Sequence, residues 1–323
     1  MTPLPVTPLP ANPRTVVLTG GVGGAKLVLG LAQILPPQNL TAIVNTGDDF
    51  THLGLAISPD IDTLLYTLSG KANAAQGWGR EGESWSFMAA LCTLGGPGWF
   101  QLGDGDLALH VLRTAALASG QPLSQIIANF AQAWNIGPTV LPMTNDHVAT
   151  MLTTNEGDLT FQDYFVARRC GPIVRSIQFE GAAQARPTPG VLAAIEGAEA
   201  ILIAPSNPYL SIGPILAVPG IAAALAAAKD PVIAISPIVG GKAVKGPTAK
   251  LMAELGSAIT PQSIATHYAG TIDGLLLDER DLPKNPGIPY AAADTLMHTL
   301  QDRIRVARAT LALAGQLAQS PPR

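Results

Sequence analysis

The chain is poor in charge. Lys, Arg, Asp and Glu make up 13% of its 323 residues, about half the usual ~25%. With 19 basic against 23 acidic residues and a net charge of -4, it lacks the basic footprint of a partner for nucleic acid or an anionic membrane. Cysteine is scarcer still. Cys92 and Cys170 are the only two, with no metal-ligand spacing and too few for a disulfide framework. They read as buried thiols, and a cytoplasmic setting is expected. Long apolar runs are missing as well. The longest uncharged one, Tyr209 to Ala228, is interrupted by Gly213, Pro214, Pro219 and Gly220. It reads as two core elements joined by a turn, not as a membrane span. The opening MTPLPVTPLPANPR has neither the basic start nor the apolar run of a signal peptide, and its prolines predict a loose tail over residues 1–13.

In a chain so short of charge, clustered acids stand out. Between Thr15 and Thr63 an apolar run, TVVLT, delivers Gly20, Gly21, Gly23 and Gly24 into a helix start. A second, TAIVN, delivers Asp48 and Asp49, and Asp60 and Asp62 follow in SPDIDT. Glycine loops at a helix start present backbone N–H groups to phosphate. Clustered carboxylates hold a hard divalent cation. One segment therefore carries both halves of a phosphoryl-transfer site.

The remaining pattern predicts an α/β chain. Buried parallel strands are expected over 15–19, 41–45, 200–204, 232–236 and 274–277, with helices over 24–35, 220–229, 248–255 and 303–317 between or after them. That alternation specifies a Rossmann-like doubly wound, mainly parallel sheet, whose ligands sit at the carboxyl ends of the strands. Gly20, Asp48, Ser206 and Ser236 all fall there. Residues 64–136 read as an inserted helical subdomain, with helices in DLALHVLRTAALASG and PLSQIIANFAQAW. Residues 139–180 read as a small antiparallel β layer built from HVATMLTT, DLTFQDYFV and PIVRSIQFE. Residues 14–63 and 137–323 then form the nucleotide-binding core.

Each motif has a bland alternative. The glycine loop fits neither a phosphate-binding Walker loop, since no Ser or Thr follows Lys26, nor a strict dinucleotide fingerprint. Tight strand–helix packing explains such a loop as well. Lys26 adds charge to a phosphate site or is a solvated helix lysine. Asp60 or Asp62 caps the helix that follows, but a cap accounts for one carboxylate and not four. Asp49 and Asp62 are the favoured metal and catalytic residues. Ser206, Asn207 and Ser211 in APSNPYLSIGPIL suit a ligand or an ordinary Asn-Pro turn. In SPIVGGKAVKG, Gly240, Gly241 and Gly246 give backbone access, and Lys242 or Lys245 reaches phosphate or solvent. His110, four residues beyond Asp106, is oriented by it or merely satisfied by it.

Taken together, LTGGVGGAK, VNTGDD, SPDIDTLLYTL, GWG, LGDGDLALH, LPMTND, FQDYF, APSNPYLSIGPIL, SPIVGGKAVKGP and LLLDERD resemble the 2-phospho-L-lactate transferase family of coenzyme F-420 biosynthesis, in order from Leu18 to Asp281. The resemblance implies a donor in which guanosine diphosphate carries a small acid, and an acceptor, the deazaflavin riboside Fo. The ribityl hydroxyl of Fo attacks the phosphorus bearing the acid, and GMP leaves. It implies Mg²⁺, with Asp49 as a metal contact and Asp62 as a contact to Fo or the metal. Gly20, Gly21, Gly23, Gly24, Ser206, Asn207 and Ser236 would hold the nucleotide. Trp78, Gly103 and Asp104 of the insert would lie at the deazaflavin ring, because the core motifs have few aromatics beside them. Relatives often carry lysine where Gln101 stands, so that contact to Fo is open here. The transferred acid is phospholactate, phosphoenolpyruvate or a phosphoglycerate-derived unit. A homodimer is expected, with no nucleic-acid or membrane partner.

Two other classes share part of this pattern. A nucleotide-sugar-binding regulatory protein would need the glycine loop but not the SPDIDT acids or an Fo site. A nicotinamide-dependent dehydrogenase would need a stricter glycine fingerprint than this one.

Overall fold

The computed structural model describes residues 9–244, 246–283 and 287–319. Residues 1–8 of the expected tail and Lys245 lie outside them. In chain order the elements are β1 (Thr15–Thr19), α1 (Gly21–Ala32), β2 (Leu40–Val44), β3 (Phe50–His52), β4 (Leu55–Ile57), α2 (Pro59–Leu68), α3 (Ser86–Thr93), α4 (Asp104–Ala118) and α5 (Leu123–Ala133). There follow β5 (Thr139–Pro142), β6 (Ala149–Thr154), β7 (Gly157–Thr160), β8 (Val174–Glu180), α6 (Val191–Glu196), β9 (Ala200–Ile203), α7 (Gly213–Ala217) and α8 (Ile221–Ala226). The chain continues through β10 (Val232–Ile235), β11 (Ile238–Val239), β12 (Lys242–Ala243), α9 (Thr248–Glu254), α10 (Pro261–His267), β13 (Gly274–Asp278), β14 (Tyr290–Ala293) and α11 (Leu300–Leu317).

Seven strands form one parallel sheet in the order β14-β13-β10-β9-β1-β2-β5. The apolar runs specify it because both faces are covered, so no polar alternation is needed. Period-2 geometry divides each run between two cores. Val17 of β1, Ala200 and Leu202 of β9, and Ile233 and Ile235 of β10 join one core with α1, α2, α5 and α11. Val16, Leu18, Ile201, Ile203, Val232 and Ala234 join the other, against α6, α8 and α10. The chain grows outward from β1 through β2 to β5, then restarts on the opposite side with β9. The strand order therefore reverses between β1 and β9, where α/β sheets open a ligand crevice.

The structure corrects four local expectations, the first being that both thiols are buried: Cys92 is exposed and Cys170 half-buried. Residues 139–142 are not part of the antiparallel layer; they form the parallel edge strand β5, registered on β2. The antiparallel sheet is β7-β6-β8, and the FQDYF segment leaves it as a helical turn over Asp163–Ala167. Thr160 causes this, since its hydroxyl accepts from the Asp163 backbone N–H at 3.2 Å and donates to the Asp163 carboxylate at 2.7 Å, a local closure that competes with strand pairing. The first helix starts at Gly21, not Gly24, so the glycines form its first turn.

Within residues 64–136, α2 and α5 place Leu64, Leu65, Leu123 and Ile127 in the main core. By contrast, α3 and the segment between it and α4 close over the β3–β4 hairpin, packing Met88, Phe87, Phe100 and Leu102 on Phe50, Leu55 and Ile57. That hairpin joins the two acid pairs in sequence, and α4 reaches the acid cluster through Arg113, which donates to Asp62.

Candidate active site

The crevice between β1 and β9 is held by reciprocal contacts. Ser206 Oγ donates to the Gly20 carbonyl at 2.7 Å and accepts the Gly20 N–H at 3.3 Å. Gly21 N–H donates to Asp60 Oδ1 at 2.7 Å, and the other Asp60 oxygen accepts from Asn45 Nδ2 at 3.0 Å. Gly21 has a φ of +65° and nothing within 4 Å of where a Cβ would stand. Gly24 is the opposite case, because its Cβ would strike the Thr19 and Ser206 hydroxyls. Hence Gly24, Ser206 and Asp60 build the loop, and Gly21 faces open space.

Around this frame lies a group of buried polar atoms with no hydrogen-bond partner among the described residues. They are Thr46 Oγ1, Asp48 Oδ1, Asp49 Oδ1, Thr150 Oγ1 and Asn207 Nδ2. Local contacts tie their residues together. Thr150 N–H donates to the Gly47 carbonyl at 2.8 Å. Asn207 Oδ1 caps its own turn by accepting from the Tyr209 and Leu210 N–H groups, and the Leu210 carbonyl accepts from Asn45 Nδ2 at 3.3 Å. Buried polar groups are ordinarily paired. A group of unpaired ones at strand ends is what a polar ligand would satisfy.

The four acids are all buried or nearly so and are handled differently. Asp49 accepts from the Ser58 hydroxyl at 2.7 Å. The Asp48 carbonyl accepts from the buried Gln162 side chain at 3.0 Å, which is the use made of the FQDYF turn. Asp62 forms a two-pronged pair with the wholly buried Arg113, through Nη1 at 3.1 Å and Nη2 closer still. His110 sits 3.7 Å from Asp62 and 3.1 Å from Asp106, and Tyr66 donates to Asp106. Burial raises the pKa of Asp48 and Asp49 well above the ordinary carboxylate value, with Asp60 adding to the first. Burial also raises Asp60, to about 6, against the hydrogen bonds from Asn45 and Gly21. At Asp106 burial acts upward, but His110, Tyr66 and Arg113 outweigh it and hold the group below the usual range.

These shifts carry a sign. An acid raised in the folded state binds its proton more tightly folded than unfolded, so stability is lost as pH rises between the two pKa values. For Asp60 that window runs from about 4 to about 6, a loss of about 3 kcal/mol at 1.36 kcal/mol per unit. Metal-free protein should show urea stability falling across this window, with a shallower fall in Asp60→Asn. Equal slopes in the two proteins would mean that Asp60 does not titrate there.

Among the described residues no three His, Cys, Asp or Glu side chains converge as a preformed metal cage. The unpartnered oxygens of Asp48 and Asp49 are what the cluster offers a hard cation. That is enough for Mg²⁺, which commonly takes one or two carboxylates and fills its other positions with water and phosphate. Asp62 offers less, since both of its oxygens face Arg113.

Other residues singled out in the sequence have different placements. Lys26 donates to the Met297 carbonyl at 2.7 Å, away from the crevice. Ser236 Oγ accepts from Ile238 N–H at 3.2 Å in a turn at the end of β10. The Gly240 and Gly241 N–H groups are taken by the Asp281 carboxylate, each at 2.6 Å. Asp104 caps α3, accepting from the Ser84 hydroxyl at 2.6 Å and from the Ser86 and Phe87 N–H groups. Gly103 lies against the Glu83 side chain. Trp78 is 47% exposed, Trp85 39% and Trp99 38%. Trp99 and Phe100 gather with Phe50 around His52, whose buried Nε2 has no partner.

Arg113, Thr46, Thr150 and His52 are residues that the sequence pattern does not single out. The first had a signal: Asp106, His110 and Arg113 recur at helical spacing on one face of an otherwise apolar helix.

The chain matches the family described as 2-phospho-L-lactate transferase CofD over residues 15–312. It belongs to this family. These are phospho-acid transferases of coenzyme F-420 biosynthesis. A phosphoenolpyruvate transferase of Streptomyces coelicolor is 42% identical over 318 residues, covering 95% of this chain and all of the relative. One from Kitasatospora aureofaciens is 43% identical over 316 residues, covering 94% and 98%. In fold, the chain resembles a crystal structure of a UPF0052-family protein from Bacillus halodurans. The TM-score is 0.61 at 20% identity, covering 92% of this chain and 98% of that one.

Proposed function

We propose that this family member transfers a phosphoenolpyruvyl group from a guanosine-diphospho-linked donor to the ribityl hydroxyl of Fo, releasing GMP. The acid is chosen because the similar curated relatives carry the name phosphoenolpyruvate transferase. The observation that carries the reading is the set of unpartnered buried atoms of Thr46, Asp48, Asp49, Thr150 and Asn207 beside the glycine loop. A diphosphate offers acceptors for Asn207 Nδ2, the two threonine hydroxyls and the first-turn N–H groups of α1 that follow Gly21, whose own N–H is held by Asp60.

In the proposed reaction the acceptor oxygen bonds to the phosphorus bearing the acid, and the bond from that phosphorus to the bridging oxygen breaks. GMP departs with the electron pair. Asp48, with its free oxygen and an upward-shifted pKa, takes the hydroxyl proton. Mg²⁺, held by the free oxygen of Asp49, would supply positive charge against the diphosphate. Asn207 and the α1 N-terminus hold the nucleotide, and the helical insert supplies Arg113 against Asp62. Positioning and charge neutralisation then carry the catalysis, as in other phosphoryl transfers.

The test is product mass spectrometry with Fo, GTP and each candidate phospho-acid, coupled to a guanylyltransferase. The phosphoenolpyruvyl product should dominate. Exclusive formation of the phospholactyl or phosphoglyceryl product would change the acid, and no product with any donor would sink the reading.

Two variants divide the site. Gly21→Val should weaken GDP binding at least about tenfold by calorimetry, with Fo binding little changed, since its side chain enters the open space above the loop and strains a positive φ. Unchanged GDP affinity in folded protein would assign Gly21 to packing alone. Trp78→Ala should raise the KM for Fo about three- to tenfold, the scale of about 0.5–1.5 kcal/mol for a lost ring contact, and spare GDP binding. A fall in GDP affinity instead would place the Gly77–Gly79 turn on the nucleotide side.

A further inference from the structure

We infer that Arg113 is a positioning residue of this reaction, holding Asp62 and, through Ser58, the metal-holding Asp49; the inference rests on the proposed transfer. Arg113 comes from α4 of the helical insert and is completely buried. Its two terminal nitrogens grip Asp62 of α2, and Nη1 also donates to the Ala56 carbonyl of β4 at 3.2 Å. One guanidinium therefore fixes three elements that meet at the acids. The hold reaches further. Asp62 N–H donates to the Ser58 carbonyl at 2.9 Å, and the Ser58 hydroxyl donates to Asp49 at 2.7 Å. Arg113, Asp62, Ser58 and Asp49 form one continuous chain of contacts, which ends at one oxygen of the Asp49 carboxylate and so orients the other, free one.

Charge alone does not explain the choice of residue. A lysine would offset a carboxylate, but only the planar fork presents two parallel donors that fix a carboxylate's orientation. On the same face of α4, His110 lies 3.5 Å from Nη1, and Asp106 and Tyr66 close the network behind it. The guanidinium is wholly buried and braced between Asp62, the Ala56 carbonyl and His110. The insert thus supplies the counter-charge that sets the geometry of the acids.

The experiment compares Arg113→Lys, Arg113→Gln, Asp62→Asn and the double variant Asp62→Asn/Arg113→Gln. It measures melting temperature, kcat, KM for Fo and, independently of turnover, Mn²⁺ affinity in the presence of GDP. Arg113→Lys keeps the charge. It should melt within a few degrees of wild type, hold its KM within about twofold, lose at least about tenfold in kcat, and bind Mn²⁺ at least about fivefold more weakly. The double variant removes the unbalanced charge of either single one, so its melting temperature should recover while kcat stays near that of the poorer single variant. Recovery of kcat together with melting temperature would show a purely structural pair and overturn the inference. So would Arg113→Lys with wild-type Mn²⁺ affinity, an outcome that counts even if the wild-type protein transfers nothing to Fo and the functional reading itself has failed.

Discussion

Asp49→Asn is expected to lower kcat at least about a hundredfold, the scale set by removing one electrostatic stabiliser from a preorganised site. The substitution keeps the size of the side chain and an oxygen to accept from Ser58, the one side-chain hydrogen bond that Asp49 makes among the described residues. It removes a carboxylate that burial already disfavours as an anion. The variant should therefore fold as well as wild type or slightly better, and stability and catalysis should part company. Steady-state kinetics beside a thermal melt decide the matter. A folded variant with kcat within about fivefold of wild type would remove Asp49 from the chemistry and leave Asp48, the other acid with a free buried oxygen, as the group to test.

The separation of roles among the acids was only partly legible in the sequence. The strands that matter were readable because parallel strands covered on both faces are written as unbroken apolar runs, as in TVVLT and AILI. Edge strands escaped for the converse reason. Tyr290–Ala293 is half exposed and reads as YAAA, and Thr139–Pro142 ends in proline. The acid pairs were visible as an excess of carboxylates in a charge-poor chain. What each carboxylate does was not, because partners come from distant segments. Gly21 takes one oxygen of Asp60 across 39 residues, and Arg113 takes both oxygens of Asp62 across 51. In DLALHVLRT the shared face of Asp106, His110 and Arg113 marks a polar stripe, but its partner Asp62 emerges only when α4 is laid on α2. Asp104 shows the same limit from the other side. Placed at a ring site from its motif, its carboxylate serves the start of α3 in the fold.

Asp62→Ala should be the most damaging single change to stability. Arg113 is wholly buried, and Asp62 is its one two-pronged partner among the described residues. Removing one member of a buried pair leaves an uncompensated charge in low dielectric, at a cost of about 3–5 kcal/mol. The neighbouring acids do not take over cheaply. Asp49 is already engaged with Ser58, and Asp106 is committed to His110 and Tyr66. Adding Arg113→Met to Asp62→Ala should restore most of the lost stability, because an apolar replacement of a buried ion pair is often neutral or favourable. Urea unfolding of the single and double variants measures both steps. A loss below about 1 kcal/mol in Asp62→Ala would mean that water reaches Arg113 once the carboxylate is gone. A double variant no more stable than the single one would mean that Arg113 holds β4 and α2 together by its contact with Ala56 rather than through Asp62.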